Sequence, residues 1–183
     1  MPAERLFAFL RAINVGGHTV TMATLRGHFE ELGFHDVETF IASGNVVFTS
    51  RSKSPAALER KIEAHLRTSL GYEVATFIRT APELVAIAAY EPFPAPRIRS
   101  AGAFCVGFLQ RPLDAAATKA LAALASEIDD IHARGREVYW LCKKKQSESK
   151  FGNAAFEKAV GVRITFRGAG TVAKLALRAG GSS

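Results

Sequence analysis

The sequence predicts an α+β protein of two tandem ferredoxin-like β-α-β-β-α-β units, each followed by an extra helix. Three observations predict it. Short β-rich runs alternate with segments of helical apolar spacing, N-cap residues and stop glycines bracket those segments, and the same order of elements recurs on both sides of a proline-rich stretch.

In the first half, Leu6 to Arg11 reads as a buried strand, because apolar residues occupy both parities of the alternation. Met22, Leu25, Phe29 and Leu32 then recur at helical spacing, with Thr21 as N-cap and Gly33 as the stop. Val37 to Ile41 and Val46 to Thr49 flank Ala42-Ser43-Gly44-Asn45, which reads as a hairpin turn. Ser54-Pro55 opens a helix whose Leu58, Ile62 and Leu66 share a face and which Gly71 ends. Val74 to Arg79 is the fourth strand, and Thr80-Ala81-Pro82 starts an extra helix to about Tyr90.

The prolines of Glu91 to Arg97 form a connector that cannot continue that helix. The order then repeats. Ala103 to Leu109 is a strand, Asp114 caps a helix reaching about Ile128, and Asp130 to Ala133 and Glu137 to Cys142 flank the turn Arg134-Gly135-Arg136. A helix over Ser149 to Val160 stops at Gly161, Val162 to Phe166 is a strand, and Thr171 to Ala179 is the second extra helix, stopped by Gly180. The expected domains are 1–90, a connector over 91–102, and 103–183. The matched order implies an internal duplication of architecture, carried by element order and not by residue identity.

Composition narrows the class. Of 183 residues, 48% are hydrophobic and 22% charged, so a folded globular chain is expected and a disordered one excluded. Apolar runs such as Leu6 to Leu10 fall far short of the roughly 20 residues that span a bilayer. The N-terminus lacks a basic segment followed by an apolar core, so a cytoplasmic protein without membrane contact is expected. Cys105 and Cys142 sit in strand-like runs and read as buried inert thiols. With no C-x-x-C pair and no Cys/His cluster at metal spacing, neither metal nor cofactor is expected. A net charge of +7 and a pI near 9.7 favour an anionic partner, either a small molecule or nucleic acid, although the basic residues are scattered.

Topology places the candidate site. With right-handed crossovers, the end of the first strand, the hairpin between the second and third, and the entry to the fourth meet at one edge. That edge gathers Arg11, Asn14, Gly16, Gly17 and His18 with Ser43, Gly44 and Asn45. The loop from Arg11 to His18 leads to a helix N-terminus, and its paired glycines, free N–H groups and arginine suit an anion. The pattern is neither G-x-G-x-x-G nor a Walker loop. The alternative is a turn in which Asn14 satisfies its own backbone. Further candidate anion contacts are Arg134, Arg136, Lys143, Lys144, Lys145, Lys150 and Arg167.

No triad, Cys-His pair or paired carboxylate is legible, so whether the chain is an enzyme stays open. His18 is the only histidine in the site, and as a lone loop residue it reads as solvated. Phe7 and Phe9 stand where RNA-recognition modules of this topology display stacking aromatics, but the surrounding pattern does not fit and both read as core. Three functions remain. The leading one is a module binding a nucleotide or nucleic acid at the loop and hairpin. A second is an enzyme acting on a phosphorylated or carboxylated metabolite, with Arg11 holding the anion and Asn14, Ser43 or Asn45 polarising the reacting group. The third is a structural or homo-oligomer contact with no small ligand.

Leu10-Arg11-Ala12-Ile13-Asn14-Val15-Gly16-Gly17, Met22-Ala23, Glu31-Leu32-Gly33-Phe34 and Ile41-Ala42-Ser43-Gly44-Asn45-Val46-Val47-Phe48 resemble the opening signature of the bacterial domain of unknown function 1697 family. The resemblance extends over nearly the whole chain through Gly135-Arg136-Glu137-Val138-Tyr139. It implies an α+β fold and no established activity, cofactor or substrate. It weakens toward the end, where relatives carry a Gly-Arg-Ser-Lys-like loop and an Arg-Asn-Trp-Asn-Thr-Val run. Here the first survives as Ser149-Lys150 after Glu148, and the second reads Arg167-Gly168-Ala169-Gly170-Thr171-Val172.

Overall fold

A computed structural model describes residues 2–14, 16–41, 44–52 and 54–179. The chain divides into two compact units, one built on Met1–Val85 and one on Ala86–Arg178. The first unit holds β1 (Glu4–Leu10), α1 (Met22–Glu31), β2 (His35–Thr39), β3 (Asn45–Ser50), α2 (Pro55–Leu70) and β4 (Thr76–Thr80), after which α3 (Ala81–Ala89) crosses the division. The second holds α4 (Ala95–Ser100), β5 (Ala103–Phe108), α5 (Ala115–Ala122), β6 (Asp129–Arg134), β7 (Glu137–Cys142), α6 (Asn153–Val160), β8 (Thr165–Gly168) and α7 (Ala169–Ala179).

The sheets run β2-β3-β1-β4 and β6-β7-β5-β8, with neighbouring strands antiparallel throughout. Both are therefore the order of a β-α-β-β-α-β unit, and the α+β fold with two such units in tandem is what the sequence predicts.

In the first unit Leu6, Ala8 and Leu10 point to one face of the sheet and pack with Leu25 and Phe29 of α1 and Leu58, Ile62 and Leu66 of α2. Phe7 and Phe9, of the other parity, are also buried, which is why β1 is apolar at every position. Each such side chain contributes roughly 1.5–3 kcal/mol on burial. The second core gathers Cys105, Val138, Trp140 and Cys142 with Leu121, Phe156 and Ile164. Both thiols are buried and unbridged, and burial pushes Cys105 up to about 11 and raises Cys142.

The caps lie where local chemistry puts them. Thr21 accepts from Thr24 N–H at 3.1 Å, Ser54 from Ala57 N–H at 3.3 Å and Asp114 from Ala117 N–H at 2.7 Å. Gly71 and Gly161 end α2 and α6 in the left-handed region.

Each unit also guards an edge strand with a helix carboxylate. Thr76 N–H donates to Glu63 at 3.0 Å and Ile78 N–H to Glu59 at 3.0 Å. Residues two apart on a strand point the same way, and residues four apart share a helix face, so α2 answers the open ladder of β4 at both donors. In the second unit Ile164 N–H, just before β8, donates to Glu157 of α6 at 3.3 Å.

Several boundaries correct the sequence reading, among them the last strand, expected over Val162 to Phe166 and found at Thr165–Gly168. The helix expected to reach Ile128 stops at Ala122, because Ser126 closes a local turn with Asp129 through Asp129 N–H to Ser126 Oγ at 3.1 Å. The helix expected from Ser149 begins at Asn153, preceded by a 3₁₀ turn at Gln146–Glu148. The proline-rich connector contains α4, in which Pro96 occupies the first turn, a position that needs no N–H. β2 ends at Thr39, and Ile41, expected in the strand, lies at φ 58°. Gly180, expected to stop the last helix, lies outside the described residues.

Candidate functional site

The β1–α1 loop and the β2–β3 hairpin meet at one end of the first sheet. Leu10 N–H donates to Gly44 O at 2.9 Å, and Arg11 N–H to Ala75 O at 2.9 Å just before β4. Gly44, at φ 80°, approaches so closely that a Cβ there would lie 3.0 Å from Ile13 Cγ2 and 3.2 Å from Leu10 Cβ. Only glycine combines that φ with that contact. Arg11, Asn14, Gly16, Gly17, His18, Gly44 and Asn45 thus belong to one sheet end or the loop leaving it; Ser43, also expected there, lies outside the described residues.

Within this edge the two asparagines are engaged by the protein itself. Asn14 Oδ1 accepts from Val20 N–H at 2.8 Å, closing the loop before α1. Asn45 is 1% exposed, and its Nδ2 donates to Phe40 O at 3.0 Å while Phe40 N–H donates to Asn45 O at 2.9 Å. Between loop and hairpin lies a cavity of about 10 Å³, lined by Ile13, Asn14, Val20, Met22, Leu25, Thr39, Ile41, Gly44 and Asn45. That is the room of about one water.

Among the described residues of the edge, Asn14, Gly16, Gly17, His18 and Ile41 are exposed. His18 stacks on Tyr72, with centroids 4.0 Å apart and 25° between planes, and the Tyr72 hydroxyl donates to Ile13 O at 2.7 Å. Tyr72 therefore fixes the loop at two points, a role no sequence pattern announced. Ala12 and Ile41, one on each side of the edge, are non-glycine residues at φ 58°. A β-branched residue there is an outlier that its surroundings must impose.

The other expected anion contacts do not converge. Arg134 lies over the Tyr90 ring at 3.9 Å, and the Arg136 carbonyl accepts from Leu109 N–H. Lys143 Nζ donates to Glu127 O at 2.7 Å, Lys145 N–H to Glu148 Oε2 at 3.0 Å, and Lys144 and Lys150 are exposed. The two clusters lie beyond opposite ends of β7, a strand about 17 Å long at the rise of an antiparallel strand. Arg167 is 9% exposed, its Nη1 donates to Thr165 Oγ1 at 2.7 Å and Phe166 O at 3.0 Å, and desolvation lowers its pKa to about 10.

A second polar centre, not expected from the sequence, lies in the second unit. Asp129, 4% exposed, accepts from Trp140 Nε1 at 2.8 Å, from Ser126 Oγ at 2.8 Å, and from Ser149 Oγ at 2.8 Å to each oxygen. Burial alone would raise its carboxyl, and the hydrogen bonds from Trp140, Ser149 and Ser126 outweigh it, leaving the pKa below the ordinary value. Ser149 Oγ in turn accepts from Phe151 N–H at 2.9 Å. An adjoining groove of about 550 Å³ has the size of a small-molecule site, but Asp129 is held by the fold on every side.

Two four-stranded sheets of one order, with a glycine-bearing loop and hairpin joined at the end of the first, define a tandem β-α-β-β-α-β protein of the α+β class. The chain belongs to the family described as Protein of unknown function (DUF1697), which matches residues 4–139. It is similar to the conserved bacterial protein SP0830 from Streptococcus pneumoniae, at 25% sequence identity over 97% of this chain and 99% of that chain, with a TM-score of 0.72. No curated protein matches the chain. Among the described residues no helix is long and apolar enough to cross a membrane.

Proposed function

We propose that the chain is a binding module that meets the phosphate backbone and bases of a single-stranded nucleic acid at the β1–α1 loop and β2–β3 hairpin. The observation that carries this reading is the strain on both sides of the edge. Left-handed backbone costs roughly 1–2 kcal/mol at a non-glycine residue, and such strain gathers at ligand clamps. Between Ala12 and Ile41 the exposed glycines allow close backbone approach, and His18 on Tyr72 offers an aromatic surface for a base. The net charge of +7 favours the sign of the partner.

Size favours a polymer over a free nucleotide. A cavity of about 10 Å³ cannot receive a base, so contact is confined to the surface, where affinity must come from several successive nucleotides. Asn14 and Asn45 shape the edge instead of touching the ligand. The enzyme reading is weaker here, because the residues lining that cavity are without ionisable side chains.

Fluorescence anisotropy with a labelled single-stranded RNA, a duplex DNA and ATP at about 50 and about 200 mM salt tests this. Binding of the single strand that weakens with salt and falls about tenfold in His18→Ala, with the melting temperature unchanged, supports it, one stacked base contributing about 1–3 kcal/mol. Absence of single-strand binding, or equal affinity in His18→Ala, contradicts it. If Asn14→Ala and His18→Ala act only by lowering the melting temperature or dissociating an oligomer, the edge is structural and the proposal fails.

A further inference from the structure

Away from the loop and hairpin, α1 and α2 bring two imidazoles and a carboxylate together. His28 and Glu31 stand three residues apart on α1, and His65 stands on α2. Glu31 Oε2 lies 3.4 Å from His28 Nδ1 and 2.9 Å from His65 Nε2, and one donor atom from each residue falls within 4.8 Å of the others. The imidazole rings meet edge to face, 5.4 Å apart at 70°. We propose that His28, Glu31 and His65 form a binding site for a borderline divalent cation, Zn²⁺ first, bridging α1 and α2.

Donor type and spacing both support this. Two imidazole nitrogens and one carboxylate oxygen suit zinc, whereas Mg²⁺ and Ca²⁺ take oxygen ligands. Bonds of about 2.0–2.2 Å in a tetrahedron set ligand atoms roughly 3.3–3.5 Å apart. The 3.4 Å distance already lies in that range and the 2.9 Å distance falls just short of it, so loading the site needs a small opening between Glu31 and His65. Glu31 is free to adjust, its side chain being 60% exposed, while those of His28 and His65 are 14% and 23% exposed. The scaffold beneath is fixed. Leu25 and Phe29 of α1 share a core with Leu58 and Ile62 of α2, and Lys61 Nζ donates to Leu32 O at 3.0 Å across the two helices. Three protein ligands leave a fourth position for water.

The test is calorimetric titration of the full chain, free of any histidine tag, with Zn²⁺ and separately with Mg²⁺, alongside thermal unfolding with and without Zn²⁺. The expected result is one Zn²⁺ per chain, no Mg²⁺ binding and a higher melting temperature with Zn²⁺. His65→Ala and His28→Ala should each weaken Zn²⁺ at least tenfold and remove the shift, with unchanged circular dichroism, while His35→Ala on exposed β2 should bind as the parent does. His65→Gln supplies a second variant should His65→Ala not fold. Lack of Zn²⁺ binding by the parent overturns the proposal, as does equal affinity in the His65 variants or an equal loss in His35→Ala.

Discussion

The two units share a strand order and an edge-strand carboxylate, yet they elaborate opposite ends. In the first, the β1–α1 connection runs from residue 11 to 21 and the hairpin carries Ile41 at φ 58°; in the second, the equivalent connection runs only from 109 to 114 and Gly135 makes the turn. The second unit instead enlarges the β7–α6 connection, where Ser149 returns to Asp129 and a groove opens. The polar groups divide accordingly. Those around Asp129 are turned inward and hold the chain, while Gly16, Gly17 and His18 face solvent. The groove of the second unit is thus bordered by polar groups already committed to the fold, whereas the edge of the first carries left-handed residues and exposed loop positions with almost no cavity.

Removing the inward network should produce the largest effect. Asp129→Ala strips a buried carboxylate from three donors and strands Trp140 Nε1–H, so a loss of about 3 kcal/mol is expected in denaturant unfolding. The acid dependence has a definite sign. Because the folded pKa of Asp129 is depressed, its stabilisation is fully present above the ordinary carboxylate value near ~3.9 and is lost as pH falls through the lower folded value. Asp129→Asn should flatten that acid limb of the stability curve.

A smaller effect separates the edge strands. Glu59 is 3% exposed and serves Ile78 N–H at 3.0 Å, whereas Glu157 is half-buried and serves Ile164 N–H at 3.3 Å. Glu59→Ala should cost about 2 kcal/mol and Glu157→Ala about 1, both measured by chemical denaturation. Equal costs would mean that the shared carboxylate device is equally buried in energetic terms, erasing this difference between the units. The glycine contrast is of similar size. Gly44→Ala combines left-handed strain with a 3.0 Å contact, whereas Gly135→Ala meets only Glu137 Oε1 at 3.8 Å. Melting temperatures should place the first at about 2 kcal/mol and the second at about 1.

What the sequence made legible was local. Ser54-Pro55 and Gly71 bracket α2 because a cap hydrogen bond and a left-handed stop are decided within a few residues, and Leu58, Ile62 and Leu66 lie on its buried face as spaced. The sheet end shared by loop and hairpin followed from crossover handedness, another rule that needs no side-chain detail. What escaped was non-local. Ser149 looked like a helix start but bonds to Asp129 twenty residues back, and Asp129 likewise ends the preceding helix early through Ser126. His65 meets Glu31 across 34 residues of chain, so no spacing motif marks their cluster. The sequence marks Asn14 and Asn45 as candidate ligand contacts, but it does not announce their partners in the fold, Val20 N–H and Phe40 O, which lie six and five residues away.

The proposed contact surface is the outward-facing edge of the first unit, and not the groove of the second. Backbone amide chemical-shift mapping during titration with a single-stranded RNA tests it most directly. The predicted result is perturbation concentrated at Gly16, Gly17, His18 and Gly44 that diminishes as salt rises, with the amides of Leu124, Ser126 and Phe151 unmoved. Perturbation centred on Leu124, Ser126 and Phe151 with a silent loop would contradict it.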